Sequence, residues 1–178
     1  MTNISARVAL RPVGEDDLPV VQDMMDDPEA IGEFEWTGWQ DRQHWRRDWD
    51  KNGLRGEDFG IFMVARGAER LGIVSFRRKA AGPASYHWEI GIALLPKGRG
   101  HGYGAEAQRL LVRYLFAHTP VNRIEAWTES ANIAEQRSLE KAGFTREGVR
   151  RGAGWRAGAW RDVVLYGILR SEAAEVLT

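Results

Sequence analysis

The chain has 178 residues and not one is cysteine. A disulfide framework and a cysteine-based zinc site are therefore excluded. So is a covalent cysteine–acyl intermediate, which leaves any acyl transfer to another nucleophile or to direct attack by the acceptor. Charge of one sign is also lacking. Lys and Arg number 25 and Asp and Glu number 25, for a formal net charge of zero. A nucleic-acid binder usually carries a clear basic excess, so no nucleic-acid partner is expected. No apolar run approaches the roughly 20 residues needed to cross a bilayer, so no membrane association is expected. Met1–Ser5 shows no basic patch followed by an apolar core, so no secretion signal is read and a cytoplasmic location is expected. No metal site is assigned. What is present, 43% hydrophobic and 28% charged residues, suits one globular domain spanning residues 1–178.

The charge is uneven locally. Nine carboxylates and no Lys or Arg fall between Glu15 and Glu35, whereas Arg146, Arg150, Arg151, Arg156 and Arg161 crowd a later stretch. Two solvated surfaces would explain this. The sharper reading is an acidic side that attracts a cationic amine.

Val8–Arg11 reads as a strand stopped by Pro12. A helix follows from Gly14, with Leu18, Val21, Met24 and Met25 at helical spacing and Pro28 closing it. A second short helix is expected over Asp41–Trp49, with Trp45 and Trp49 on one face. Phe59–Arg66 and Leu71–Arg78 read as strands about a turn at 67–70. In Ser85–Leu94, residues Tyr86, Trp88, Ile90, Ile92 and Leu94 alternate onto one face, and His87 and Glu89 fall on the other. An amphipathic helix is expected over Gly102–Ala117, then a strand over Arg123–Trp127 and a helix over Ala131–Ala142 stopped by Gly143. Two last strands, from Phe144 and over Asp162–Leu169, are joined by a Gly- and Arg-rich hairpin. Mostly consecutive strands with helices between some of them indicate an α/β (α+β) domain.

The segment from Pro96 to Gly104 joins a strand to a helix and holds four glycines. Free N–H groups and the positive dipole end make such a helix start an anion site, and a pyrophosphate is its natural occupant. A Walker loop would need Gly-Lys-Ser/Thr at the helix start, but the only Lys is Lys97, before the glycines. A dinucleotide fingerprint fails on register and on its place in mid-chain. The pattern Arg/Gln-x-x-Gly-x-Gly/Ala is met in full by Arg99-Gly100-His101-Gly102-Tyr103-Gly104.

That pattern resembles the pyrophosphate loop of the GNAT N-acetyltransferases, and the likeness continues along nearly the whole chain in order. Val8–Pro12, Glu89–Leu94, Tyr103–Ala107, Asn132, Leu139–Phe144, Gly148–Arg150 and Trp160–Tyr166 are similar to successive signatures of the RimJ/RimL-type branch. The resemblance implies a mixed, mostly antiparallel sheet flanked by helices and splayed at a central strand that binds acetyl-CoA. It implies pantetheine contacts from the backbone of Ile92, Ala93 and Leu94. It implies pyrophosphate contacts from Arg99, Gly100, His101, Gly102, Tyr103 and Gly104, with added charge from the Arg99 side chain. Asn132 would contact the cofactor arm near its thiol, or cap a helix, or do both. Arg137 and Lys141, four apart, would face the 3′-phosphate or solvent.

A protonated amine cannot attack a thioester, so a base must accept its proton. Glu89 is the candidate base, with His87 beside it; the alternative for Glu89 is an ion pair with an Arg on a neighbouring strand. The branch often carries Ser three residues after the Asn, suited to protonating the leaving thiolate. Here Glu135 stands there, with Ser138 and Tyr166 as substitutes that nothing in the sequence selects. Among eight tryptophans, Trp36 and Trp39 are candidates to hold the acceptor. The expected activity is acetyl transfer to a small cationic or aromatic amine. The alternatives are acetylation of protein N-termini and a non-catalytic acyl-CoA sensor. The family resemblance also leaves a homodimer open.

Overall fold

The computed structural model describes residues 7–176; Met1–Ser5, read above for a secretion signal, lie outside the described residues. Seven strands form one sheet: β1 (Val8–Pro12), β2 (Phe59–Arg66), β3 (Glu69–Gly82), β4 (Ser85–Leu94), β5 (Arg123–Glu129), β6 (Thr145–Arg156) and β7 (Ala159–Leu169). Their spatial order is β1-β2-β3-β4-β5-β7-β6. Every neighbouring pair is antiparallel except β4 and β5. That parallel pair is the expected splay: its register holds only Trp88 opposite Ile124 and Glu89 opposite Glu125. Beyond Glu89 the two strands part. The β5-facing edge of β4 up to Leu94 then has backbone groups with no ladder to join, which a buried chain must satisfy some other way.

Six helices cover the sheet: α1 (Leu18–Asp26), α2 (Pro28–Ile31), α3 (Gln43–Asn52), α4 (Tyr103–His118), α5 (Ile133–Lys141) and α6 (Arg170–Val176). The alternation in β4 sends Trp88 and Ile90 into the core beneath α4, with Ala107, Leu111 and Leu115 opposite them. The other face carries a second core, built from Val21 and Met24 of α1, Trp45 of α3, and Ile61 and Met63 of β2. Trp45 and Trp49 both belong to it, and the indole of Trp49 donates to the Val13 carbonyl at 2.9 Å.

Several boundaries differ from the sequence reading. Pro28 follows the end of α1 as expected, but it also opens a further helix, α2, where the Asp27 side chain accepts from the Glu29 N–H at 2.8 Å. Proline suits a first helical turn, whose N–H groups have no partner in the helix. The α3 helix starts two residues late and runs on to Asn52, and β3 begins at Glu69. The nine-carboxylate run is also not an open acidic surface. Asp17 is bonded by Arg11 and Arg70, Asp23 and Asp26 by Arg42, and Glu15 by Arg46. Among the described residues no helix is long and apolar enough to cross a membrane.

Candidate active site

A cleft of about 530 Å³ opens where β4 leaves β5. Ile92, Ala93 and Leu94 form one wall, the glycine loop and the start of α4 a second, and α5 a third. Of the residues read as cofactor-binding, Arg99, Gly100, Gly102, Gly104, Asn132 and Arg137 join the three strand residues in these walls, as does Lys141. His101 and Tyr103 do not; their rings stack on each other, 5.3 Å apart, and the Arg66 guanidinium lies over Tyr103. Any contact from those two positions must come from the backbone.

Local chemistry explains the loop. Gly102 is the N-cap of α4 at φ 79°, in the left-handed region, and a side chain there would meet nothing within 4 Å. Tyr103, Gly104 and Ala105 sit in the first helical turn, whose N–H groups have no partner within the helix. An open space in front of a helix start, walled by Arg137 and Lys141, fits an anion such as a pyrophosphate. The Arg99 side chain also lines the cleft. Its guanidinium donates to the Leu94 carbonyl at 2.8 Å and to the Ala30 carbonyl, tying the end of β4 to α2. Gly72 lets β3 approach β4 at this point; a Cβ there would lie 2.2 Å from the Ala93 carbonyl oxygen.

Asn132 is both cap and cleft wall: its Oδ1 accepts from the Glu135 N–H at 3.1 Å. Glu89 and His87 stand outside these walls. Glu89 lies at the apex of the splay, 3.3 Å from Lys79 Nζ on β3. His87 Nε2 lies 3.2 Å from Glu125 Oε2, and Arg123 holds the other oxygen of Glu125. Of the substitute acids, Tyr166 is fully buried and donates to Glu140 at 3.1 Å, away from the cleft. Ser138 is in the cleft wall and donates to Gln108 Oε1 at 3.0 Å.

Two carboxyl groups in the cleft have raised pKa values. Solvent reaches Glu35 through the open cleft, yet the walls crowd its carboxyl. Desolvation, with the Glu129 charge in support, pushes its pKa up to about 6. Glu135 is pushed up to about 8, again chiefly by burial, against the opposing hydrogen bond from Gln108. Glu35 lies in the turn after α2 and has no motif around it, so only its place in the cleft marks it. The sequence reading reached Glu135 as a departure from the family pattern.

A second hollow of about 790 Å³ adjoins the cleft, sharing Gly32, Glu33 and Arg99 with it. Glu29, Trp36, Trp155 and Arg156 complete its sides. Trp36, read from the sequence as an acceptor candidate, lies in this wall. Trp39 is not in the wall; it packs edge-on against Trp36, 5.2 Å away, and is 78% exposed. Trp155 was missed, because its place at the mouth depends on the β6–β7 hairpin bending round to α2. The Arg156 guanidinium is held by the buried Glu129, at 2.5 and 2.9 Å, and lies over Phe34.

The family model for the acetyltransferase (GNAT) domain matches residues 7–145. A probable N-acetyltransferase of Bacillus subtilis, YjcK, is 36% identical over 114 residues, 64% of this chain and 62% of that protein. The chain thus matches less than two thirds of that relative's length. RimJ of Mycobacterium smegmatis, solved with CoA-disulfide, superposes with a TM-score of 0.79 at 26% identity, covering 96% of this chain and 87% of that one. A spermidine N-acetyltransferase of Vibrio cholerae, solved with CoA and spermine, gives 0.79 at 18% identity, with 94% and 98% covered, and shares the fold. A loop and a splayed sheet first read from sequence are here matched by a domain model over most of the length, and this chain belongs to the GNAT acetyltransferase family.

Proposed function

We propose that this protein transfers an acetyl group from acetyl-CoA directly to the primary amine of a small cationic acceptor. The observation that carries the acceptor class is the composition of the hollow next to the cleft. Glu29, Glu33 and Glu35 line the path from its mouth to the splay. The cations nearby are already engaged, Arg99 by carbonyl oxygens and Arg156 by Glu129 and, at 3.9 Å, by Glu33. Trp36 and Trp155 offer ring faces to an alkylammonium. Acetyl-CoA, held by the loop and β4, supplies the activated acyl group; the protein's residues orient the amine and move its protons.

Glu35 is the base in this reading, in place of Glu89. Its carboxylate stands in the cleft, and a pKa near 6 leaves it mostly ionised at neutral pH yet more basic than an ordinary carboxylate. Glu89 instead has Lys79 beside it at the floor of the splay. The sign follows: below about 6 Glu35 is protonated and accepts nothing, so kcat/KM rises with pH through that value. Glu35→Gln is expected to remove this acid limb and lower kcat/KM by about 10²-fold. A limb that survives in Glu35→Gln and disappears in Glu89→Gln would return the role to Glu89.

An amine screen at fixed acetyl-CoA tests the acceptor. Cationic amines are expected to lead, and Glu33→Gln to raise their KM about 5-fold, as for one partly exposed ion pair. A preference for amines carrying a carboxylate would overturn the reading. A protein N-terminus is the second acceptor to test, because the hollow ends at a Trp155 that is 60% exposed, and a peptide's first residues would fit an open mouth.

A further inference from the structure

We infer that Glu135 is the acid of this reaction, a neutral carboxyl that gives its proton to the sulfur leaving the acetyl group. The inference rests on the acyltransferase reading above and adds to it a residue that the family pattern, with Ser at this position, does not supply.

The geometry comes first. Glu135 lies in the first turn of α5 and in the cleft wall, one turn beyond Asn132 and across from the β4 backbone. It is held from two sides. Its own N–H donates to Asn132 Oδ1 at 3.1 Å, and its Oε1 accepts from Gln108 Nε2 of α4. Gln108 is 1% exposed and cannot swing away, because Ser138 Oγ donates to its Oε1 at 3.0 Å. These three side chains bridge α4 and α5 at the floor of the cleft. They also fix one carboxyl oxygen, Oε1, of a residue in the cleft wall. Ser138 itself is committed to Gln108, so the hydroxyl nearest the family's acid position already has a role.

The surrounding charges keep the carboxyl neutral without locking it so. Glu35 faces it across the cleft and its charge disfavours a second anion. Arg137 and Lys141 share its helix and the cleft wall, and Arg99 on the loop side is tied to carbonyl oxygens. Among the described residues no Lys or Arg is in ion-pair contact with Glu135. Glu129, on β5, is neutralised by Arg156. Burial is the largest influence, and it holds the proton on at neutral pH. Once the proton leaves, Gln108 and the N-terminus of α5 stabilise the carboxylate, so donation is not uphill by the full cost of a buried charge.

The proton count closes. The acceptor enters as an ammonium and loses one proton before attack, to solvent by way of Glu35. Its nitrogen then forms the C–N bond to the acetyl carbon, and the C–S bond breaks. The sulfur takes the proton of Glu135 and leaves as a thiol. The second nitrogen proton reloads Glu135 through Glu35 or water. The sum is one amide, one thiol and one proton released.

Two measurements on the intact protein test this. The first needs no substrate: carboxyl-carbon NMR of glutamate-labelled protein, with the Glu135 signal identified by its loss in Glu135→Gln. That signal is expected to titrate near 8, and titration in the ordinary carboxylate range would overturn the proposal. The second is the pH profile of kcat/KM. The wild type is expected to lose activity as pH rises through about 8. Glu135→Gln is expected to lose that alkaline limb and about 10²-fold in rate, with acetyl-CoA affinity kept in calorimetry. Glu135→Asp, which keeps a carboxyl, is expected to keep the limb. Equal rates and profiles for wild type and Glu135→Gln would overturn the proposal alone. A wild type that acetylates no amine would overturn the acyltransferase reading and this proposal with it.

Discussion

Gly102→Glu is expected to abolish acetyl-CoA binding at ordinary concentrations, a loss of about 10³-fold or more, while the fold survives. The site explains both halves. The position is open, and a Cβ there would have no protein atom within 4 Å, so the new side chain clashes with nothing in the fold. Its left-handed φ of 79° costs a non-glycine residue about 1–2 kcal/mol, a tolerable loss for a folded domain. The carboxylate would settle at the N-terminus of α4, where the dipole favours it. It would thereby occupy the place the pyrophosphate needs and repel what it does not displace. Lost N–H contacts and repulsion together amount to about 4 kcal/mol, or three powers of ten. Gly102→Ala carries only that backbone cost, which falls on the fold with or without cofactor, and is expected to leave acetyl-CoA affinity nearly unchanged. Calorimetry with acetyl-CoA, with ATP and NAD as controls, reads both variants. Unchanged affinity in Gly102→Glu would remove the loop from the cofactor site, and with it the acyltransferase reading.

The second large effect is on stability. Asp17→Ala is expected to lower the unfolding free energy by about 3 kcal/mol, the lower end for breaking a buried pair. Asp17 is 2% exposed and precedes α1. Its carboxylate accepts from Arg11 of β1 at 2.5 and 2.9 Å, from Arg70 of β3 at 2.6 Å and from the Gly14 N–H at 2.8 Å. It therefore pins the start of α1 to two strands. The two arginines are 41% and 36% exposed, so water recovers part of their solvation in the variant, which keeps the loss at the low end. The hydrogen bond from Arg11 is the largest influence on its pKa, which falls well below the usual carboxylate range. A depressed folded pKa means that the unfolded chain binds the proton more readily. The stabilisation is present in full above the unfolded value of about 4 and is lost as pH falls below it. Urea melts at pH 7 and pH 3 check this: the wild type is expected to lose stability on acidification, and Asp17→Ala to lose less. Parallel losses in both proteins would mean that Asp17 is not the group responsible.

Much of this site was legible in the chain itself. The bounds of β2 and β4 match the sequence reading residue for residue, because each is an uninterrupted apolar or alternating run between turns. The glycine loop at the start of α4 was legible because glycine spacing at a strand-to-helix junction is a local property. The capping role of Asn132 was legible for the same reason: a cap and the N–H it accepts from are three residues apart. Pro28 was legible as the stop after α1 but not as the start of α2, because proline both stops helices and starts them, and only the path of the chain shows that it does both here. Glu89 drew notice because it is an acid on a strand. Lys79, two residues beyond its register partner Arg77 on β3, then proved to be its neighbour.

The residues that remained hidden share one feature, which is that their properties come from groups far away in sequence. Glu35 is a carboxylate in a short turn until Glu129 and the walls of the cleft raise its pKa. Gln108 is a polar residue in an apolar helix face until Glu135 and Ser138 meet it from α5. Trp155 is a hairpin residue until the hairpin reaches the turn after α2. By itself, the sequence determined most of the order of elements and the glycine-rich strand-to-helix junction, set by short-range pattern and backbone geometry, and through resemblance to known signatures it pointed to the family and its splayed sheet. Only the tertiary structure decided which carboxyl groups stand in the cleft and which cations are already engaged, because desolvation and charge act through space rather than along the chain.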